Sequence, residues 1–230
     1  MTDTSVTAPW RAAMPWPQPD AHKHDRGRLG VVSGTALHTG AARLAARAGL
    51  RIGAGLVRIL CPPDAALVIA SAIEAVMVDE FMSPEALGRL ADPLDAVVIG
   101  PAAGLTEATA FNLAALGRTG AALVVDADAL TVFKGRPGDL FACLDRDDVL
   151  TPHEGEFERV FPGLLAHGRE LAAVQASKAM TAMISGSARF QACGASAGNG
   201  ASISSGLPLS PKTKGMKIRK ISGRAAMIRK

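Results

Sequence analysis

The sequence predicts an α/β fold in which helices cover both faces of a mainly parallel sheet, giving three layers. From Arg28 onward, short apolar runs alternate with segments of helix length, and the apolar runs are nearly unbroken. Strands that alternate with helices are typical of βαβ units and a parallel sheet. Unbroken apolar strands are typical of a sheet that is buried on both faces.

The alternation predicts six strands and five helices in order along the chain. The predicted strands are LGVV (29–32), LVRIL (56–60), AVMV (75–78), AVVIG (96–100), ALVVD (122–126) and DVLT (148–151). The predicted helices cover residues 39–53, 64–73, 83–91, 106–117 and 154–166. In the first helix we expect an inward apolar stripe and a solvated arginine stripe. The first is Leu44, Ala45, Ala48 and Ile52, and the second is Arg43, Arg47 and Arg51.

Composition divides the 230 residues into three parts. Residues 1–22 carry Pro and Trp without periodicity and are interpreted as a leader or linker, followed by one α/β domain over 23–173. Residues 174–230 are rich in Ser, Gly, Ala and Lys, and we expect them to be disordered. All 21 acids lie at or before Glu170, whereas the last sixty residues hold ten Lys or Arg.

Cysteine usage and hydropathy predict a cytoplasmic protein that does not enter a membrane. Cys61, Cys143 and Cys193 are odd in number and have no metal-ligand spacing, which fits a reducing compartment. The longest apolar stretch contains Glu74 and is too short to span a bilayer.

Ligands of such sheets bind beyond the carboxyl ends of the strands, so the residues after each run carry the functional prediction. After the first strand, Thr39 and Gly40 stand where a helix N-cap belongs, and free N–H groups at a helix start can bind anions or amide oxygens. After the fourth strand, the small residues of IGPAAGL (99–105) let a ligand approach the backbone. The chain has neither a G-x-G-x-x-G nor a Walker A motif.

Acidic residues follow the fifth and sixth strands. Asp126 and Asp128 can bind Mg²⁺ or act as bases, or one of them can cap the next helix, and the sequence does not decide between these roles. In TPHEGE (151–156), Glu154 and Glu156 suit the first turn of a helix. Metal ligation by His153 lacks a supporting His or Cys cluster, so we interpret this histidine as a donor to a ligand.

Five segments, in this order, resemble the ADP/ATP-dependent NAD(P)H-hydrate dehydratases, repair enzymes for hydrated nicotinamide cofactors. They are HKHDRGRLGVVSG (22–34), HTGAARLAARAGLRIGAGLV (38–57), DAVVIGPAAG (95–104), LVVDADAL (123–130) and LTPHEGEF (150–157). The resemblance implies a ribokinase-like fold and dehydration of (S)-NAD(P)H-hydrate with ADP or ATP as co-substrate and Mg²⁺. In that family the nucleotide is thought to phosphorylate the ring hydroxyl, which is then eliminated. Position by position, the resemblance implies that Ala41, Gly104 and His153 bind the substrate.

The chain departs from the family pattern after His153. The family continues through a Lys-Gly segment that holds the adenine nucleotide, and then a Gly-Ser-Gly-Asp turn whose Asp is the expected catalytic base. Neither is found here, so the predicted ribokinase-like fold is incomplete at its C-terminus and we assign no catalytic residue. Our hypothesis is that residues from about 174 onward are translated out of frame, which the underlying DNA tests. Ala102 and Thr131 also replace residues that are usually Gly and Asn in the family.

Several functional alternatives stay open at this point. The chain is an active dehydratase, or an inactive fragment that binds a dinucleotide, or a small-molecule kinase of the same superfamily. A further alternative is a nucleic-acid-binding protein that uses the basic tail. The tail lacks interleaved aromatic residues and a reader motif, which argues against this alternative. The leader resembles an interdomain linker, which suggests that an NAD(P)H-hydrate epimerase domain was lost upstream, and a separate epimerase is a candidate partner. An incomplete sheet also predicts exposed apolar faces.

Overall fold

A single parallel sheet organises the molecule. The computed structural model describes residue 16, residues 18–184 and residues 226–227. Seven strands are hydrogen-bonded in the order β3-β2-β1-β4-β5-β6-β7, and every neighbouring pair is parallel. The strands are β1 Arg28–Val32, β2 Leu56–Cys61, β3 Met77–Glu80, β4 Ala96–Ile99, β5 Ala122–Val125, β6 Val149–Leu150 and β7 Ala226–Met227. All six predicted strands are therefore present, although the third begins two residues later than predicted, at Met77.

Helices connect successive strands, as the alternation predicts. They are α1 Gly40–Ile52, α2 Pro63–Ala70, α3 Pro84–Ala91, α4 Glu107–Leu116, α5 Asp128–Thr131, α6 Pro137–Phe141, α7 Glu154–Val160 and α8 Arg169–Ile184. The described residues also form three 3₁₀ helices: Lys23–Arg26 precedes β1, Ala36–His38 lies between β1 and α1, and Leu164–His167 lies between α7 and α8. Local sequence sets several helix ends. The Ser83 side chain accepts the Ala86 N–H at the start of α3, and Gly53 ends α1 in the left-handed conformation.

The residues of α1 that face the sheet differ from the predicted apolar stripe. Ala42, Ala46 and Gly49 are buried against the sheet, whereas Leu44 and Ile52 are 70% and 77% exposed. The prediction was wrong because it assigned the larger apolar residues to the inside. A helix that lies close to a sheet puts its smallest side chains at the contact, and an added Cβ at Gly49 would lie 2.3 Å from the Leu29 side chain.

Two apolar clusters, one on each side of the sheet, form the core. On the first side, α1 and α2 pack on β1 and β2 around Val31, Val57 and Ile59. On the second side, α3 and α4 pack on β4 and β5, and the cluster continues through the three phenylalanines Phe141, Phe157 and Phe161. These clusters confirm the predicted three-layer arrangement.

Helix α8 runs through the boundary that the sequence predicts between residues 173 and 174. Its buried residues, Ala172, Ala176 and Met180, are four apart and pack on the second side of the sheet. Small and polar residues around them hide this period in the sequence. The helix continues to Ile184, past residue 173, at which the predicted domain ends. Apart from the backbone of β7, the predicted basic tail beyond residue 184 lies outside the described residues. Within the described residues, no helix has both the length and the apolar character needed to cross a bilayer.

Candidate functional site at the carboxyl edge of the sheet

The tips of β1 and β4 touch at the carboxyl edge of the sheet. A Cβ added to Gly34, just after β1, would lie 2.0 Å from the carbonyl oxygen of Ala102, so only glycine fits there. Ala102 itself has a φ of 58°, a conformation that costs a non-glycine residue free energy. Ser33 is buried beside them, and its hydroxyl has no hydrogen-bond partner among the described residues. The edge is thus closely packed backbone with small side chains.

Ala41 lies in the first turn of α1, directly beyond β1. Thr39 is the N-cap as predicted, yet its buried side chain makes no capping hydrogen bond. The first turn contains no acidic residue that would offset the positive end of the helix dipole. Half-buried Ala41 therefore stands at a helix start that can accept an electron-rich group of a ligand.

Gly104 lies in the loop between β4 and α4, with a φ of 92° and open space where a Cβ would be. Its N–H donates to Asp128 Oδ2 at 2.9 Å. Its carbonyl oxygen accepts the Thr109 hydroxyl at 2.7 Å, and that hydroxyl also lies 3.1 Å from the Ala103 carbonyl oxygen. Two side chains thus hold this loop, and the bare Cα of Gly104 is what remains for a ligand.

The two aspartates after β5 have different positions. Asp126 is buried, and its backbone N–H donates to the Ile99 carbonyl at 3.0 Å, which continues the pairing of β4 and β5. Asp128 is the first residue of α5, whose N-cap is Ala127, with a φ of 48° and no side-chain capping bond. The Asp128 carboxylate is instead an acceptor for the neighbouring loop. The sequence analysis considered metal binding, proton transfer and helix capping for these acids, but not this role.

His153 is the N-cap of α7 and uses both ring nitrogens within the protein. Nδ1 accepts the N–H groups of Gly155 and Glu156, at 3.0 and 3.4 Å, so the neutral ring carries its proton on Nε2. Nε2 lies 3.1 Å from Glu156 Oε1, while Glu156 Oε2 accepts the His153 N–H at 2.9 Å. The ring is 55% exposed and the Glu156 side chain only 7%. The Nε2–H group can donate to a ligand only when its contact with Glu156 Oε1 is broken.

The fold brings the three predicted residues to one edge of the sheet. Ala41, Gly104 and His153 follow β1, β4 and β6, and β5 separates the last two strands. Contacts join each tip to the next: Gly34 with Ala102, Gly104 with Asp128, and the Thr151 N–H with the Val125 carbonyl at 3.1 Å. The sequence missed Asp128 and Thr109 as loop anchors because they lie 24 and 5 residues from Gly104, with no motif linking them.

The opposite, amino edge of the sheet uses its carboxylates for structure. Asp148 is buried and accepts the N–H groups of Leu123 and Asp145, both at 2.7 Å. Burial nevertheless raises the pKa of Asp148 to about 7, because the ionised form loses its hydration.

Burial likewise raises the pKa of the Cys61 and Cys143 thiols to about 11, so neither is an activated nucleophile.

Comparison with known proteins identifies the family. The family model described as NAD(P)H-hydrate dehydratase matches residues 29–189, which include the tips of β1, β4, β5 and β6. The chain belongs to the NAD(P)H-hydrate dehydratase family. The bifunctional NAD(P)H-hydrate repair enzyme Nnr of Salinibacter ruber is 35% identical over 171 residues, covering 69% of this chain and 31% of that protein. The ATP-dependent (S)-NAD(P)H-hydrate dehydratase of Bos taurus is 34% identical over 163 residues, covering 67% and 49%.

Solved structures show the ribokinase-like fold. A ribokinase-like superfamily protein of Enterococcus faecalis superposes with a TM-score of 0.61 at 23% identity, covering 70% of this chain and 57% of that one. The ADP/ATP-dependent NAD(P)H-hydrate dehydratase of Bacillus subtilis, co-crystallised with ATP/Mg²⁺, superposes with a TM-score of 0.58 at 24% identity, covering 74% and 61%. This chain spans between about a third and a half of the length of the curated relatives described above.

Proposed function

We propose that the chain functions in NAD(P)H-hydrate repair and binds (S)-NAD(P)H-hydrate at the carboxyl edge of its sheet. The observation that carries the proposal is that the family match spans the edge at which Ala41, Gly104 and His153 lie. The start of α1 supplies a positive dipole end, Gly104 a surface without a side chain, and His153 an exposed imidazole. These three groups are our proposed substrate contacts.

The proposed reaction is dehydration of the hydrate back to NAD(P)H, with ADP or ATP as co-substrate. Two related proteins named above support it, because the Bos taurus relative is named ATP-dependent and the Bacillus subtilis structure was obtained with ATP/Mg²⁺. The Salinibacter ruber relative is named a bifunctional NAD(P)H-hydrate repair enzyme, which fits a second repair activity such as the epimerase that we propose as a partner. We propose the cytoplasm as the site of action, since the scattered cysteines fit a reducing compartment.

The catalytic base that the family resemblance implies is not found in this chain, because the sequence contains no acid after Glu170. In the described part of the chain, no three His, Cys, Asp or Glu side chains cluster to hold a metal ion. That observation does not argue against a nucleotide, since Mg²⁺ that binds with a nucleotide uses only one or two protein carboxylates besides the phosphate oxygens. The missing acid favours a second candidate function, binding of the hydrated dinucleotide without its turnover.

Binding and turnover, measured separately, test the proposal. The full chain is titrated with (S)-NADPH-hydrate in a calorimeter, and NADPH formation is followed by fluorescence with ADP or ATP and Mg²⁺. We expect binding, with turnover slower than that of the Bacillus subtilis dehydratase by about 10²–10⁴, the factor that a general base supplies. Absence of binding overturns the repair function. Any nucleotide-dependent turnover overturns the second candidate, whereas binding without turnover overturns the proposed reaction.

Two variants of His153 separate its cap from its proposed ligand contact. His153→Asn supplies a side-chain oxygen that can replace Nδ1 as the cap of α7, whereas His153→Ala removes the cap at a cost of about 1 kcal/mol. If the imidazole binds the hydrate, both variants weaken binding and only His153→Ala lowers the melting temperature. His24→Ala, an exposed histidine before β1, is the matched control. Full binding by His153→Asn removes His153 from the substrate site.

A further inference from the structure

Asp128 makes a hydrogen bond that joins two strand tips at the candidate site. Its Oδ2 accepts the Gly104 N–H at 2.9 Å in a half-buried position, across 24 residues of chain. The same carboxylate begins α5, so the contact ties the β4 loop to the helix that follows β5. A carboxylate acceptor makes a stronger bond to a backbone N–H than a neutral one does.

The loop that this bond holds is packed at Ala102, which touches Gly34, but not at Gly104. Gly104 has a φ of 92°, and an added Cβ at Gly104 would have no heavy atom within 4 Å. At Gly104, side-chain hydrogen bonds therefore add to the backbone bond from the Ala103 N–H to the Gly100 carbonyl at 3.0 Å. Thr109 holds the Gly104 carbonyl oxygen at 2.7 Å from the following helix, so both polar groups of the Gly104 backbone are engaged by side chains.

We propose that Asp128 is a positioning residue for the hydrated dinucleotide, acting through the backbone of Gly104. This inference rests on the proposed function, because it assigns Gly104 to the substrate site. With the N–H held by Asp128 and the carbonyl by Thr109, the Cα face of Gly104 is presented to the ligand in a fixed orientation. Asp128 is thus assigned neither to metal binding nor to proton transfer.

Substitutions that distinguish the hydrogen bond from the charge test this role. Asp128→Ala removes the acceptor, whereas Asp128→Asn keeps a carbonyl oxygen that can accept the same N–H. Thr109→Val removes the second anchor with little change in volume and none in charge. The control is Asp92→Ala, which deletes an equal charge at the exposed end of α3, before β4 and so toward the amino edge.

Two measurements are made on the full chain: the Kd for (S)-NADPH-hydrate and the hydrogen-exchange rate of the Gly104 amide. In Asp128→Ala we expect the Kd to rise about 10-fold or more, as loss of a charge-assisted hydrogen bond implies, with faster exchange at Gly104. Asp128→Asn should remain within about threefold of the unmodified chain, since the neutral acceptor preserves most of the bond. Thr109→Val should raise the Kd in the same direction, and Asp92→Ala should leave both readouts unchanged.

Each alternative result overturns the inference in a recognisable way. Equal losses in Asp128→Asn and Asp128→Ala assign a direct role to the charge. A lower melting temperature with unchanged Kd assigns Asp128 to stability alone. If the unmodified chain itself binds no hydrate, the proposed function fails and this inference fails with it. If the unmodified chain and Asp128→Ala bind equally, the inference fails while the proposed function stands.

Discussion

The two sides of strands β4, β5 and β6 are built from similar apolar residues but differ in burial. Side chains on the side of α3 and α4 are at most 1% exposed: Val97, Ile99, Leu123, Val125 and Leu150. Their neighbours on the opposite side are only half-buried: Val98, Val124 and Val149. Over β1 and β2, that opposite side is fully buried, as Val31 and Val57 show.

The difference comes from where the helices lie. Helices α1 and α2 contact β1, β2 and β3, and the exposed Leu44 and Ile52 on α1 give that side further apolar surface. Within the described residues, therefore, β4 to β6 have complete strand pairing but a full apolar cover on one side only. Strand pairing and the burial of the two faces contribute separately to the stability of a sheet, because backbone hydrogen bonds between strands do not bury the side chains on either face.

The largest expected effect tests how dry the amino edge of these same strands is. Asp148 directly precedes β6 and is buried, and its carboxylate accepts the N–H of Leu123 in β5 at 2.7 Å. The pKa of Asp148 in the folded protein, about 7, lies above its ordinary value of 3.8, so the folded state binds the proton more tightly. That stability is present at low pH and is lost as pH rises between about 4 and 7, by at most about 4 kcal/mol.

Urea unfolding of the unmodified chain and of Asp148→Asn, from pH 4 to pH 8, measures this effect. We expect the unfolding free energy of the unmodified chain to fall relative to that of Asp148→Asn as pH rises to about 7. Above that pH the difference should level off. The variant has no titrating group at this position and supplies the baseline. A difference that does not change with pH would show that Asp148 remains hydrated.

A pair of equal substitutions in β4 compares the two sides directly. Val97→Ala removes two methyl groups from a fully buried site and should cost about 2 kcal/mol of unfolding free energy. Val98→Ala makes the same change at a half-buried site, and we expect it to cost well under half as much. Chemical denaturation of both variants gives the two values. Equal losses would mean that residues 98 and 97 are covered equally well in solution.

The smallest expected effect concerns the exposed side of α1. Leu44→Gln changes a side chain that is 70% exposed and should alter the unfolding free energy by less than about 0.5 kcal/mol, while reducing self-association. Leu50→Gln, in the same helix but packed against the core, is the matched comparison and should be clearly destabilising. Sedimentation together with thermal melting distinguishes the two. A large loss in Leu44→Gln would place that side chain in a contact.

Much of the candidate site was predictable because it follows from strand ends. Short apolar runs located all six predicted strands, and parallel pairing brings the residues after each run to one edge. The sequence could not predict that His153 Nδ1 accepts two backbone N–H groups, or that Asp128 accepts the Gly104 N–H. Such contacts depend on distances between segments that have no fixed sequence spacing.

The sequence by itself determined the alternation of strands and helices, the parallel sheet and the identity of its small-residue tips, because side-chain periodicity and turn chemistry are local properties. Only the tertiary structure decided which stripe of α1 is inside, which side of β4 to β6 is fully covered, and which side chains hold Gly104. Those outcomes depend on how closely whole elements approach one another, and close packing is a property of the assembled molecule.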